Sequence, residues 1–245
     1  CRAMLHLDRF EEAAGYAEAA LQVNPDQAEV HFHLGVARQV FNEIDAAEDS
    51  YREVIRLHPD HAEARQNLGY LLMLKGQFEE ADRHLARALD LEPGYVEAQA
   101  NMALVALSKK PPEQAILHFQ RVLAVRPDDV TYNHMLGKAL RETGNLDEAI
   151  SRYRIALSID PASFEAHQKL AMALESKGLL DEAIEHYHEA LKISPGSPIA
   201  QTNMGGVLQS RGEFDKAIPH FREALANDPN LVEARVNLGL SLIHI

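Results

Sequence analysis

Residues 130–163 read VTYNHMLGKALRETGNLDEAISRYRIALSIDPAS, and this stretch decides the fold because its landmarks recur along the chain. Its proline belongs to a series in which each member lies 34 residues after the one before: Pro25, Pro59, Pro93, Pro127, Pro161, Pro195 and Pro229. A fixed period of roughly 20 to 50 residues indicates stacked structural repeats. We therefore expect the chain to build its fold from one repeated unit.

A frame in which each repeat ends two residues after its proline divides the chain into full and partial repeats. The full repeats are 28–61, 62–95, 96–129, 130–163, 164–197 and 198–231, with partial repeats at 1–27 and 232–245. Positions within a repeat are called slots, numbered from its first residue. The frame predicts one continuous array over residues 1–245. Because the chain starts at Cys1 without an initiator methionine and stops at Ile245 inside a repeat, we expect the natural protein to be longer.

Small and aromatic residues recur at fixed slots and predict two helices in each repeat. Slot 20 is alanine throughout, slot 8 is mostly glycine or alanine, and slot 24 is mostly aromatic. Slots 7, 8 and 11 share one face of a first helix, and slots 20, 24 and 27 share one face of a second. The small residues allow the backbones to approach closely, and the aromatic ring fills the remaining volume.

These spacings predict the helix bounds in every full repeat. First helices are expected near 28–41, 62–75, 96–109, 130–143, 164–177 and 198–211. Second helices are expected near 45–57, 79–91, 113–125, 147–159, 181–193 and 215–227. No strand is expected.

The turn between the two helices has its own signal at slot 15. Glycine there, as in Gly144, is typical of a helix end that adopts a left-handed conformation. Asn42 tolerates that conformation, whereas Asp8 and Lys110 at the same slot fit it less well. The recurring slot-32 proline ends the second helix. Pro219 falls inside a predicted second helix, where we expect it to remove one backbone hydrogen bond.

The chain resembles the tetratricopeptide-repeat (TPR) family, whose 34-residue unit shows Leu-Gly, then alanine, an aromatic residue and proline. Leu136-Gly137, Ala149, Tyr153 and Pro161 reproduce that order. The resemblance implies an all-α fold, a right-handed α-solenoid of antiparallel helix pairs. One departure is the family's tryptophan, whose slot 4 is polar in this chain: His31, Arg65, Gln99, Asn133, His167, Gln201 and Arg235.

Composition excludes several classes of function. The net charge of −13 argues against a nucleic-acid partner, which requires a basic surface. The single cysteine excludes a disulfide framework and mildly favours a cytoplasmic, reducing compartment. No apolar run is long enough for membrane insertion. No phosphate loop, HExxH or nucleophile elbow occurs, so we expect neither catalysis nor a cofactor in this chain.

The thirteen histidines raise the question of a metal site. His84, His118, His186 and His220 share slot 23 of separate repeats. Because stacked helices lie roughly 8–10 Å or more apart, these rings are not expected to converge on a zinc ion. Solvated or packing histidines are the favoured interpretation.

Function in such an array comes from its surface, because each repeat contacts only its neighbours. The resemblance implies that first helices line a concave groove with slots 2, 5, 6, 9, 12 and 13. In the N-terminal half those slots include large apolar residues that favour an extended or amphipathic peptide: Phe32, Val36, Tyr70, Met73, Leu104 and Leu107. The alternative is that some of them are buried between repeats.

Asparagine recurs at slot 6, as Asn67, Asn101, Asn203 and Asn237. An amide side chain offers donors and an acceptor, so a row of them can bind the backbone of an extended peptide. The row resembles the asparagine ladder in the superhelical TPR arm of O-linked N-acetylglucosamine transferases. The alternative is that each amide satisfies a neighbouring group within the array.

Slot 2 is acidic in most repeats: Glu29, Glu63, Glu97, Glu165 and Glu233. Such an edge repels a C-terminal carboxylate, so a chaperone-tail clamp is not expected. The sequence therefore predicts a protein-binding scaffold whose partners combine apolar anchors with some basic character. The second hypothesis is the substrate-recognition arm of a glycosyltransferase whose catalytic domain lies beyond Ile245.

Overall fold

The computed structural model of the chain describes residues 2–109 and 112–244, with side chains from residue 9 onward. These residues form fourteen α-helices and no strand. Their bounds are α1 Arg2–Val23, α2 Ala28–Val40, α3 Ile44–Leu57, α4 Ala62–Leu74, α5 Phe78–Leu91, α6 Val96–Lys109, α7 Glu113–Val125, α8 Val130–Glu142, α9 Leu146–Ile159, α10 Phe164–Ser176, α11 Leu180–Ile193, α12 Pro198–Ser210, α13 Phe214–Asn227 and α14 Val232–Ile243.

From residue 28 onward the helices follow the predicted order of first helix, turn and second helix. The all-α prediction is confirmed, and the first and second helices begin and end within a residue or so of the expected positions. None of the helices in the described ranges is both long and apolar enough to cross a bilayer.

The N-terminal partial repeat differs from the expectation. The repeat frame places the turn slot at Asp8, a residue expected to fit it less well, and α1 runs without a break from Arg2 to Val23. The physical reason lies in slot 15, where aspartate replaces the glycine or asparagine that adopts a left-handed conformation. Cys1, Lys110, Pro111 and Ile245 lie outside the described residues.

The chain divides into two compact units, unit 1 (Cys1–Val122) and unit 2 (Leu123–Ile245). The core of unit 1 combines the slot-20 and slot-24 residues of its second helices with apolar residues of α2, α4 and α6, such as Leu68 and Val105. In unit 2 the buried aromatic residues are Tyr153, Tyr187 and Phe221, one in each second helix. The second helix of each of these repeats thus contributes one buried aromatic or leucine side chain to the packing within its repeat.

Close approach between paired helices explains the slot-8 glycines. A Cβ atom at Gly137 would lie 2.7 Å from Cε1 of Tyr153, which is closer than real contacts allow. A Cβ at Gly69 would lie 2.6 Å from Cγ of Leu85. The large side chain at slot 24 therefore occupies the space that a side chain at slot 8 would need, as the sequence pattern predicted.

The predicted left-handed turns are present. Gly144 has φ 80°, and Asn42 takes the same region with φ 60°. The amide of Asn145 then donates to the carbonyl of Leu140 at 2.8 Å, which satisfies a helix-end carbonyl. Pro219 lies inside α13, which continues through it to Asn227.

The polar residues at slot 4 have a structural role that the sequence did not reveal. In the described repeats each donates to the carbonyl of the proline six residues earlier, as Gln201 Nε2 does to Pro195 at 2.9 Å. The other pairs are His31–Pro25, Arg65–Pro59, Gln99–Pro93, Asn133–Pro127, His167–Pro161 and Arg235–Pro229. This bond ties the turn between repeats to the following first helix.

Candidate functional site

Five of the predicted apolar positions lie partly exposed on the first helices of unit 1. Val36 on α2 and Tyr70 and Met73 on α4 are half-buried, with one side packed against the core. Leu104 and Leu107 on α6 are also half-buried. Each side chain thus combines a structural contact with surface that remains accessible to a partner.

Two of the predicted positions in unit 1 leave little surface, which corrects the expectation that they are open. Phe32 is only 7% exposed, because its ring stacks on His61 with centroids 4.9 Å apart and also meets Tyr51 at 6.0 Å. Asn101 is 9% exposed. Both therefore belong mainly to the packing between repeats, the alternative that the sequence left open.

Asn67 has a partner within unit 1. Its side chain lies within hydrogen-bonding reach of the Tyr51 hydroxyl, which also donates to Gln39 Oε1 at 2.9 Å. Burial raises the pKa of Tyr51, so this hydroxyl stays protonated and keeps its donor. Asn67 is half-buried, so part of its side chain remains accessible.

In unit 2 the first helices bring their predicted groove slots together around a recess of about 170 Å³. The two remaining predicted asparagines, Asn203 on α12 and Asn237 on α14, both line it. We call this the unit 2 recess, and its lining is Arg141, Met172, Glu175, Ser176, Tyr187, Thr202, Asn203, Gly206, Glu233 and Asn237. All of these residues except Tyr187 come from first helices and occupy slots 2, 5, 6, 9, 12 or 13.

Charge in the unit 2 recess centres on Glu175. The Tyr187 hydroxyl donates to Glu175 Oε2 at 2.9 Å. Burial, despite the Tyr187 hydrogen bond, raises the pKa of Glu175, and the charge of Glu233 adds to the rise. Arg141 supplies a positive charge to the lining, and its Nε atom is buried beneath the surface of the recess. The recess therefore holds a carboxylate with spare acceptor capacity.

The sequence identified the asparagines of this recess but missed Glu175 and Tyr187. Glu175 occupies slot 12, which was among the groove slots, so its position alone was a usable signal. Tyr187 occupies slot 24, where the aromatic residue was assigned to the core. The structure agrees with that assignment for its ring, which is 1% exposed, while its hydroxyl reaches Glu175.

The slot-23 histidines extend the slot-4 hydrogen bonds. His220 Nδ1 donates to Gln201 Oε1 at 2.7 Å, and His118 Nδ1 donates to Gln99 Oε1 at 2.6 Å. Each glutamine donates its side-chain N–H to a proline carbonyl, so its side-chain oxygen is available to accept the hydrogen bond from the histidine. Among the described side chains no group of three or more His, Cys, Asp or Glu residues could hold a metal ion. These histidines therefore support the helix packing.

This series of hydrogen bonds, from the slot-23 side chain to slot 4 and on to the proline carbonyl, is here called the slot-4 relay. It is incomplete in two repeats. Arg65 has no acceptor for the ring of His84, and the buried Nδ1 atom of His84 has no hydrogen-bond partner within the described residues. Asn133 is one methylene shorter than glutamine, and both its Oδ1 atom and Nε of Arg152 are buried without partners in the described part of unit 2. The length and chemistry of slot 4 thus decide whether the relay closes.

Comparisons with known proteins agree with the repeat architecture. Two family models described as tetratricopeptide repeat match the chain, one over residues 3–38 and 134–198, the other over 42–87, 72–139 and 176–236. The chain belongs to the tetratricopeptide-repeat family. No curated protein matches this TPR chain.

Solved TPR structures share the fold at low sequence identity. The structure of YrrB, a TPR protein with an unusual peptide-binding site, is 22% identical with a TM-score of 0.69, covering 76% of this chain and 96% of YrrB. MamA is 23% identical with a TM-score of 0.65, covering 70% and 94%. The pilF protein of Pseudomonas aeruginosa is 22% identical with a TM-score of 0.66, covering 80% and 89%. At these identities the similarity shows the fold alone, and the resemblance to glycosyltransferase arms stays a prediction.

Proposed function

We propose that this TPR chain is a non-catalytic scaffold that binds extended or amphipathic segments of other proteins on the surface of its first helices. The observation that carries the proposal is the unit 2 recess, whose lining comes almost entirely from the predicted groove slots of α8, α10, α12 and α14. Asn203 and Asn237 present amides at one recess, where they can bind the main chain of a partner whatever its side chains.

Unit 1 supplies the apolar part of the proposed surface. Val36, Tyr70, Met73, Leu104 and Leu107 keep exposed area on three first helices, so they can bury apolar side chains of a partner. Large, partly preordered side chains of this kind contribute most of the binding free energy in peptide complexes. The unusual peptide-binding site of YrrB, which shares this fold, is consistent with such a use of the TPR surface.

The acidic slot-2 residues set the expected charge of the partner. Glu29, Glu63 and Glu233 are exposed, and a lysine or arginine flanking the apolar anchors would meet them favourably. Glu165 already has a neighbour within the chain, since its Oε1 atom lies 3.2 Å from His134 Nε2. Salt screens such exposed pairs, so binding is expected to weaken modestly as the salt concentration rises.

The proposal is tested by a peptide-array screen with the whole 245-residue chain and a Tyr70→Ala/Met73→Ala double variant. We expect the selected peptides to be apolar and basic, and the double variant to bind them at least ~10-fold more weakly. The matched control is Leu117→Ala, since Leu117 is a 58% exposed apolar residue on the second helix α7. Acidic peptides, or a double variant that binds like the control, would contradict the proposed surface.

The second candidate is the substrate-recognition arm of an O-linked glycosyltransferase-like enzyme. The observation in its favour is that Asn203 and Asn237 face one recess, since the resemblance to the glycosyltransferase ladder rests on slot-6 asparagines. Asn101 is buried, which weakens the row in unit 1. The complete reading frame separates the two candidates, because only the arm requires a glycosyltransferase domain after Ile245.

A further inference from the structure

The unit 2 recess combines main-chain binding groups with an excess of negative charge. Glu175 and Glu233 contribute two carboxylates, and Arg141 contributes one positive charge. One negative charge is therefore uncompensated in a partly enclosed space. Field lines concentrate in such a cleft, so its charge acts more strongly on a ligand than charges on an open surface do.

Glu175 lacks the cation that a half-buried carboxylate needs. Its hydrogen-bond donor is the neutral Tyr187 hydroxyl, and no basic side chain of the described residues pairs with it. Burial raises its pKa, and so does the charge of Glu233 on the same recess. A bound ammonium or guanidinium group would offset both effects, because it supplies charge and donors to the remaining lone pairs.

The size of the recess favours one side chain over a small-molecule ligand. Its volume of about 170 Å³ is below the ~300–1,000 Å³ typical of small-molecule and cofactor pockets. Around it, Asn203 and Asn237 offer amides that can bind main-chain N–H and C=O groups. The recess therefore has the parts to hold a peptide backbone and one inserted basic side chain.

We propose that the unit 2 recess is a selectivity pocket that takes a single lysine or arginine side chain of a bound peptide, held between Glu175 and Glu233. This inference rests on the proposed function, since it names the residue that the scaffold selects in its partner. It also assigns to the unit 2 recess a preference for basic partner residues, which the sequence analysis attributed to the acidic slot-2 residues alone.

The test uses the whole chain and a positional-scanning library of short peptides, followed by fluorescence anisotropy on the best peptide. In that peptide the selected basic residue is replaced by norleucine, which keeps the straight apolar chain and removes the charge. We expect the norleucine peptide to bind about tenfold more weakly, as for the loss of one charge-assisted hydrogen-bonded pair. In the Glu175→Gln/Glu233→Gln variant the two peptides should bind almost equally.

The matched control is Glu185→Gln, which removes an exposed carboxylate from the second helix α11, outside the recess lining and the groove slots. It should keep the full preference for the basic peptide. If the wild-type chain binds both peptides equally, or the preference survives in the double variant, the pocket assignment is wrong while peptide binding stands. If no library peptide binds in a way that Tyr70→Ala/Met73→Ala or Asn203→Ala/Asn237→Ala weakens, the proposed function itself fails.

Discussion

Two adjacent glycines on α12, Gly205 and Gly206, allow a direct test of the close packing between paired helices. A Cβ atom at residue 205 would lie 2.6 Å from Cε1 of Phe221 and 2.8 Å from its Cδ1 and Cζ atoms. Phe221 is 0% exposed, so its ring has no solvent-filled space to move into. A Cβ at residue 206 would meet nothing within 4 Å.

The difference between the two alanine variants isolates the steric cost. Alanine is favoured over glycine in a helix interior by roughly 1 kcal/mol, and this gain is common to both positions. Overpacking a core costs ~1–3 kcal/mol, so Gly205→Ala should be less stable than Gly206→Ala by about that amount. Ala103 and Ala171 occupy the same slot in repeats whose slot-24 residues are Phe119 and Tyr187. A relaxed geometry therefore exists, and the lower end of the range is expected.

The assay is urea unfolding of the whole chain followed by circular dichroism, analysed with nearest-neighbour coupling between repeats because arrays need not unfold in one step. Hydrogen exchange across residues 198–231 locates the change. Amide hydrogen exchange in this repeat should be slower in Gly206→Ala than in the wild type. In Gly205→Ala it should be faster than in Gly206→Ala. Equal stability of the two variants would show that the Gly205–Phe221 contact does not limit the approach of α12 and α13.

Three further predictions concern packing, the slot-4 relay and pH. Ala149→Leu should cost ~1–3 kcal/mol and raise hydrogen exchange across 130–197, because Ala149 is 0% exposed; unchanged exchange would refute a close contact there. Asn133→Gln should raise the free energy of unfolding by ~1 kcal/mol, because the longer amide can reach Nε of Arg152, and Gln201→Asn should lower it by a similar amount in the same urea assay. A destabilised Asn133→Gln would mean that the site cannot take the extra methylene. Burial lowers the pKa of the four slot-23 histidines below 6.5, so the unfolded state binds more protons and stability should fall as pH drops below that value. A flat stability profile from pH ~7 to ~5.5 would contradict this for His84, His118, His186 and His220.

The helices could be predicted from the sequence because each boundary signal is local. Pro161 cannot continue α9, and Gly144 adopts the φ that ends α8 at low cost. The slot-8 and slot-24 residues of one repeat also meet within that repeat, so their spacing already implied the contact between Gly137 and Tyr153. Where the local signal is missing, as at Asp8, the predicted turn is missing too.

The slot-4 relay could not be predicted in the same way. Its first bond spans six residues, from Gln201 to Pro195, and its second spans nineteen, from His220 to Gln201. Neither spacing matches a helical period, so no pattern within a single helix reveals it. The polar slot looked only like a departure from the family's tryptophan, whereas in the structure its residues hydrogen-bond to the turn between repeats.

The candidate site was the least predictable part because identical residues at one slot meet different neighbours. Asn67 lies beside the Tyr51 hydroxyl, Asn101 is buried, and Asn203 faces the unit 2 recess. All three occupy slot 6, so sequence periodicity gives them the same position on their helices. What distinguishes them is the side chains that neighbouring helices bring to the same place, such as Glu175 beside Asn203. A repeat therefore fixes the direction of a binding residue, and the adjacent repeats decide whether that residue packs or binds.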